Sequence, residues 1–366
     1  RELTQQTTCP CSAAGYLLRL EVLLVTVFSH PTPTLLLPAG AAVYNNNKGT
    51  GSTGWQRQLN CIMFLPDLTG KVALVVGATS GIGKGIAYVF AALKANVAIV
   101  ARNEMLGNQV VADLRRINPN GTYEMIMCDA SSMKSIRGAC AEYNKKFDKL
   151  NYCVMSPGIA TIDGRNETSE GIDKKMALHY YGRVMFVTEL APVLRKTAET
   201  EDVRVASILS GGVHSPIASL DDLPLKQTYS LQNAANAAGF YNDLGFDQLS
   251  IDFSGPTGGR MSFIHTCPGF VKTNWGSDFP WYLRHAVRAL QFFAKDPQDY
   301  GRVMISSMLG THMGPPAPPS GELNQAAGFH LMSPTGAEAK RTALHTDLYR
   351  KAIWKHTQET LAEALK

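Results

Sequence analysis

No Cys-x-x-Cys pair and no cysteine–histidine ligand spacing occurs in the 366-residue sequence. The seven cysteines, Cys9, Cys11, Cys61, Cys128, Cys140, Cys153 and Cys267, share no repeated interval. That excludes a zinc module and a disulfide-stapled scaffold, and it implies reduced thiols, a cytoplasmic location and no metal site. The sequons Asn120-Gly-Thr and Asn166-Glu-Thr are accordingly expected to stay unmodified. There is no run of five basic residues, and the net charge of +5 is spread along the chain, so a nucleic-acid partner is not expected. No apolar stretch reaches the ~20 uninterrupted residues of a membrane span. Arg19 and Glu21 interrupt "YLLRLEVLLVTVF", and neither a spanning helix nor a secretory leader is expected there.

What is present divides unequally. Residues 1–60 read as an extension and linker ending in "NNNKGTGSTG", poor in the apolar surface that would offset ordering entropy. Residues 64–366, in a chain 45% hydrophobic, suffice for one large α/β domain. Within it "KVALVVGATSGIGKGIAYVFAAL" reads as strand, glycine-rich loop and helix, with helical spacing at Ile86, Phe90 and Leu93. Gly77 permits a sharp turn, Gly81 a close approach to a pyrophosphate, and Gly83 the packing of helix on strand. The loop residues Gly77, Thr79, Ser80, Gly81, Ile82 and Gly83 are the candidate phosphate contacts, at a helix N-terminus whose N–H groups face an anion.

The spacing Gly-x-x-x-Gly-x-Gly, filled by "GATSGIG", resembles that of the short-chain dehydrogenase/reductase family. Further matches follow in order over roughly residues 68–310: "NVAIVARN", "YEMIMCDAS", "LNYCVMSPGIA", "VRVASILSGG" and "MSFIHTCPGFVKT". The fold expected is a Rossmann-type doubly wound parallel sheet, a single domain carrying a non-family N-terminal extension; alternating strands and helices point to the same sheet. The resemblance implies an adenine contact from Asp129, a cofactor contact from Gly158, and a Pro-Gly-x-x-x-Thr station at Pro268, Gly269 and Thr273. Where a ribose-binding carboxylate would end the second strand, the chain has Ala101 and Arg102. A bidentate phosphate donor there favours NADP(H) over NAD(H). Lys84 could add to this field or be a helix-surface lysine.

The chain also departs from that family. The usual Asn-Asn-Ala-Gly is Met155-Ser156-Pro157-Gly158, and the active-site asparagine falls on His179, either a water-holding relay that titrates near neutrality or a packing residue. The family serine falls on Ser210. The family pairs a tyrosine with a lysine four residues later, but no lysine lies between Lys226 and Lys272. Tyr229 and Tyr241 lie too far apart along a helix to share one nicotinamide. Tyr229, expected at the start of the helix, is the choice for the catalytic phenol, with Tyr241 as its rival and Lys226 and Lys272 as candidate substitutes for the ammonium. These features resemble a divergent, fungal-type branch of the family.

The function expected is an NADP(H)-dependent carbonyl reductase or alcohol dehydrogenase working through Ser210, Tyr229 and His179. An apolar lid over about 274–296, including Phe279, Trp281, Tyr282, Leu283, Phe292 and Phe293, implies an apolar ketone or secondary alcohol. The same segment also fits a core helix, a dimer face or a membrane-facing surface, so a homo-oligomer and membrane contact stay open. The rival reading is a non-catalytic NADP(H)-binding sensor or partner-binding protein. A C-terminal helical tail completes the expected domain.

Overall fold

The structure, a computed structural model, describes residues 65–215, 217, 219–254, 260–273, 281–310 and 328–366. The extension expected over residues 1–60 and the start of the lid, with Phe279, lie outside these residues, as do the side chains of Tyr282, Leu283 and Phe293.

The chain alternates β1 (Val72–Val76), α1 (Gly81–Ala92), β2 (Asn96–Ala101), α2 (Glu104–Ile117), β3 (Tyr123–Met127), α3 (Met133–Lys146) and β4 (Tyr152–Met155). Next comes α4, assembled from Lys174–Met176, a π-helical turn Ala177–Tyr181 and Gly182–Glu189. It leads to α5 (Ala191–Ala198), β5 (Val203–Ile208), α6 (Leu231–Phe253), β6 (Met261–Thr266), α7 (Trp281–Leu290), α8 (Pro297–Leu309), β7 (Phe329–Met332) and α9 (Asp347–Ala364). The expected doubly wound sheet is present. The seven described strands pair in parallel, in the order β3-β2-β1-β4-β5-β6-β7. The strand β7 is an addition to the elements expected from the sequence.

Every residue of β1 is buried, as a strand covered on both faces requires. The two-residue period sorts its side chains. Val72, Leu74 and Val76 join a core formed with α3, α4, α5, α6 and α9, whereas Ala73 and Val75 join one formed with α1, α2 and α8. Glycines let α1 and α8 approach closely, for a Cβ on Gly85 would fall within 3 Å of the Pro297 carbonyl. Strand order reverses between β1 and β4, so a crevice opens beyond their carboxyl ends. Cys128, Cys140, Cys153 and Cys267 are free thiols. No described helix is long and apolar enough to cross a membrane.

Candidate functional site

The loop from β1 to α1 has the form a pyrophosphate needs. Gly77 and Gly81 have φ of +82° and +55°, the left-handed region in which a side chain is strained. A Cβ on Gly83 would lie 2.5 Å from Ser156 Oγ and 2.9 Å from the Gly77 carbonyl carbon, so this glycine sets the packing of α1 on the loop. Ser80 caps α1 in extended geometry without a side-chain hydrogen bond. The first-turn N–H groups therefore lack a side-chain acceptor, and an anion fits there. Thr273 comes from the far side: its Cγ2 would be 3.0 Å from a Cβ on Gly81. Arg102, exposed at the end of β2, makes no hydrogen bond or ion pair with a described residue. Lys84 instead approaches Asp113 at 3.7 Å and lies over the Tyr88 ring. Asp129 Oδ1 accepts from the Ser131 N–H and hydroxyl, leaving Oδ2 without a described partner. Gly158 lies beside His179, and Gly269 turns at positive φ; with the loop residues they follow the carboxyl ends of β1, β2, β3, β4 and β6, the edge of such a sheet where a dinucleotide fits.

His179 lies in the π-helical turn of α4, an irregularity frequent at functional sites. Its Nε2 accepts from the Ile159 N–H at 3.0 Å, which places the ring proton on Nδ1. Burial first, then the charges of Arg183 and Lys175, lower its pKa to about 3. Of the two readings open for His179, the packing one agrees with this burial, and its ring packs beneath the loop after β4.

Ser210, just past β5, is half-buried, and its hydroxyl bonds to no described residue. No hydrogen bond joins it to Tyr229. That tyrosine precedes the cap Ser230 of α6, and its buried hydroxyl has no partner among the described residues. Lys175 lies 5.8 Å from the ring centroid and donates to the Asp163 and Gly164 carbonyls. What faces Ser210 is Gly239, whose absent Cβ would fall within 2.5 Å of Ser210 Oγ. Gly239 lies nine residues past the cap, roughly 13 Å along the axis. Tyr241 is buried, donates to the Leu223 carbonyl at 2.9 Å, and packs edge-on against Tyr180. Lys226 and Lys272 are exposed and form no hydrogen bond with Ser210 or Tyr229.

Several residues that shape the site carry no recognisable motif in the sequence. Asn242, on the site-facing turn of α6, donates through Nδ2 to the His179 carbonyl at 2.7 Å and accepts through Oδ1 from Ser207 Oγ at 2.7 Å. This turn of α6, from Ala238 to Asn242, carries neither a tyrosine–lysine pair nor any lysine, its one tyrosine being Tyr241. A cation lies beneath instead. Arg183 is almost fully buried and donates to Ser207 Oγ (2.6 Å), the Ile208 carbonyl (2.9 Å) and the Pro157 carbonyl (2.7 Å). Burial lowers its pKa to about 9, so it stays charged at neutral pH. Beside it, Asp243 gathers His214, His265 and His345, all with nearly inaccessible side chains. The one signal of this cluster in the sequence was a histidine inside the apolar strand "MSFIHT".

In the segment expected to form a lid, the two aromatics whose side chains are described, Trp281 and Phe292, are 67% and 86% exposed. Residues 71–220 match the family model for short chain dehydrogenase. An oxidoreductase of Emericella nidulans is 36% identical over 59% of this chain and 62% of its own length. The polyprenol dehydrogenase of Mus musculus is 27% identical over 79% of this chain and 83% of its own. The chain spans about 60% of the length of the fungal oxidoreductases it matches first. Among solved structures, a short-chain dehydrogenase/reductase of Serratia marcescens superposes with a TM-score of 0.52 at 17% identity, covering 73% of this chain and 97% of that one.

Proposed function

Because the chain belongs to the short-chain dehydrogenase/reductase family, we propose that it is an NADP(H)-dependent oxidoreductase that interconverts an apolar ketone and its secondary alcohol. The observation that carries the cofactor choice is Arg102. It stands at the end of β2 with its guanidinium unengaged by described residues, at the position where an acidic side chain would select NAD(H). The bound nicotinamide would supply hydride chemistry. The chain's own part is to hold the pyrophosphate on the Gly77–Gly83 loop and α1, the 2′-phosphate on Arg102, the adenine on Asp129 and the nicotinamide side between Gly158 and Thr273, while Ser210 receives the substrate oxygen. An apolar substrate is supported by the exposed Trp281 and Phe292 and by the likeness to a protein named for polyprenol.

Titration of the full chain with NADPH and NADH by cofactor fluorescence, alongside NADPH consumption with a panel of apolar ketones, tests this reading. Arg102→Asp should weaken NADPH binding about 10- to 150-fold, the equivalent of ~1.5–3 kcal/mol for a charge-assisted contact, and improve NADH binding. Tighter NADH than NADPH binding by the wild type refutes the cofactor assignment. Tight NADPH binding without turnover of any carbonyl favours a non-catalytic sensor, the alternative that the separation of Tyr229 from Ser210 supports.

A further inference from the structure

Asp243 lies on α6 one residue past Asn242. Three imidazoles reach its carboxylate from three other segments: His265 Nδ1 on β6 at 2.5 Å, His345 Nε2 ahead of α9 at 2.9 Å, and His214 Nε2 on the loop after β5 at 3.2 Å. Burial alone would raise this carboxyl, but the His265 ring and the imidazole hydrogen bonds hold it well below the usual carboxylate range.

The hydrogen-bond partners assign the protons. His265 Nε2 accepts from the Ser210 N–H at 3.3 Å, so its proton is on Nδ1. His345 Nδ1 accepts from the Thr342 N–H at 2.9 Å, so its proton is on Nε2. His214 differs from both. Its Nδ1 faces the Ser210 carbonyl oxygen at 3.1 Å and its Nε2 faces Asp243 Oδ2, and neither partner can donate. A proton on each nitrogen would satisfy both acceptors at once, with Asp243 standing 3.2 Å away as the counter-ion.

His214 also adjoins the Ser210 hydroxyl. Ser210 Oγ and His214 Nδ1 both lie within 2.5 Å of the point where Gly239 would carry a Cβ, and hence within 5 Å of each other. We infer that His214, oriented and charge-balanced by Asp243, holds the exchangeable proton that serves Ser210, the task given to tyrosine where the family motif is intact. This rests on the oxidoreductase reading above. In the reducing direction the Ser210 O–H bond breaks as its proton passes to the substrate carbonyl oxygen, and the His214 Nδ1–H bond breaks as the hydroxyl is restored. The imidazole is left neutral, with Nε2–H still on Asp243, and solvent returns the proton. The accompanying hydride would come from a bound reduced nicotinamide. The groups that face His214 are Asp243 and the Phe240 ring from α6, with His265 of β6 and His345 ahead of α9 across the shared carboxylate.

The test uses the full chain in two measurements: histidine side-chain ¹⁵N spectra without cofactor at pH 7, and NADPH-driven reduction across the ketone panel. In the wild type one ring should be doubly protonated; its signal should vanish in His214→Gln and become that of a neutral ring in Asp243→Asn. His214→Ala should lower kcat by ~10²-fold or more, as loss of a general acid does, with KM little changed and part of the rate restored by added imidazole. A singly protonated His214 ring in the wild type overturns the inference, as does wild-type kcat in a folded His214→Gln. A wild type that reduces no carbonyl refutes the oxidoreductase reading instead, and the ring spectra still decide where the proton resides.

Discussion

Replacing Gly83 with alanine puts the geometry of the cofactor loop to a quantitative test. The added methyl would lie 2.5 Å from Ser156 Oγ and 2.9 Å from the Gly77 carbonyl carbon. The serine hydroxyl can rotate away, since its bond to the Val76 carbonyl is long at 3.3 Å. The Gly77 backbone cannot retreat so easily. Its N–H is bonded to the Val100 carbonyl at 3.0 Å, and its own Cα faces the backbone of Pro157. Overpacking of this kind costs ~1–3 kcal/mol, against a helix-propensity gain of ~0.8–1 kcal/mol for alanine over glycine. Gly138 supplies the control: it is exposed on α3, and nothing lies within 4 Å of the position an added methyl would take, so Gly138→Ala should keep the propensity gain alone. The net is a loss of at most ~2 kcal/mol, so at roughly 2–4 °C per kcal/mol thermal melts at pH 7 should show Gly83→Ala lower by up to about 9 °C and Gly138→Ala higher by about 2–4 °C. NADPH affinity should fall only in the first. A Gly83→Ala protein with unchanged melting and unchanged NADPH binding would show that α1 does not sit on the loop as described.

Two further perturbations address residues near the site. His179 is neutral in the fold with its pKa lowered to about 3, while the unfolded ring titrates near 6.5, so the unfolded chain alone gains this proton as pH falls between those values. Stability should therefore decline from pH 6.5 towards 3, and the urea midpoint of His179→Asn should change less over that window; an unaltered slope would contradict the assignment. Tyr241→Phe strands the buried Leu223 carbonyl and should cost ~1–3 kcal/mol by urea denaturation, with NADPH binding unchanged. A large loss of turnover with unchanged stability would instead make Tyr241 part of the chemistry.

The sheet was largely legible because its interior strands are short apolar runs ended by recognisable turns: "VALVV" before Gly77, "NVAIVA" before Arg102, "YCVM" before Ser156. β7 was not, since four residues at the sheet edge, "FHLM", give too little pattern to separate from a loop. The cofactor loop was legible for a different reason, as positive φ at Gly77 and Gly81 leaves few alternatives to glycine. The register of α6 was the hard part. Its apolar positions identify a helix, but over 23 residues they do not say which turn faces Ser210. A glycine decides that, through the space it leaves open at position 239, and a missing side chain carries no periodic signal.

The lysine gap between residues 226 and 272 then takes on a physical meaning. The site-facing turn of α6 presents Gly239, Asn242 and the carboxylate of Asp243, so this helix contributes negative rather than positive charge. A buried carboxylate needs cations and donors close by. They come from other elements: His214 after β5, His265 on β6, His345 before α9, with Arg183 of α4 joined to Asn242 through Ser207. A tyrosine–lysine pair at fixed spacing draws its charge from one helix, whereas the charge balance here is distributed over α4, β5, α6, β6 and the approach to α9. Restoring a lysine at position 242 alone would therefore place a second buried cation near Arg183, break the Ser207–Asn242 bond and leave the Asp243 cluster unchanged, so it should destabilise the fold without rebuilding a tyrosine-based site.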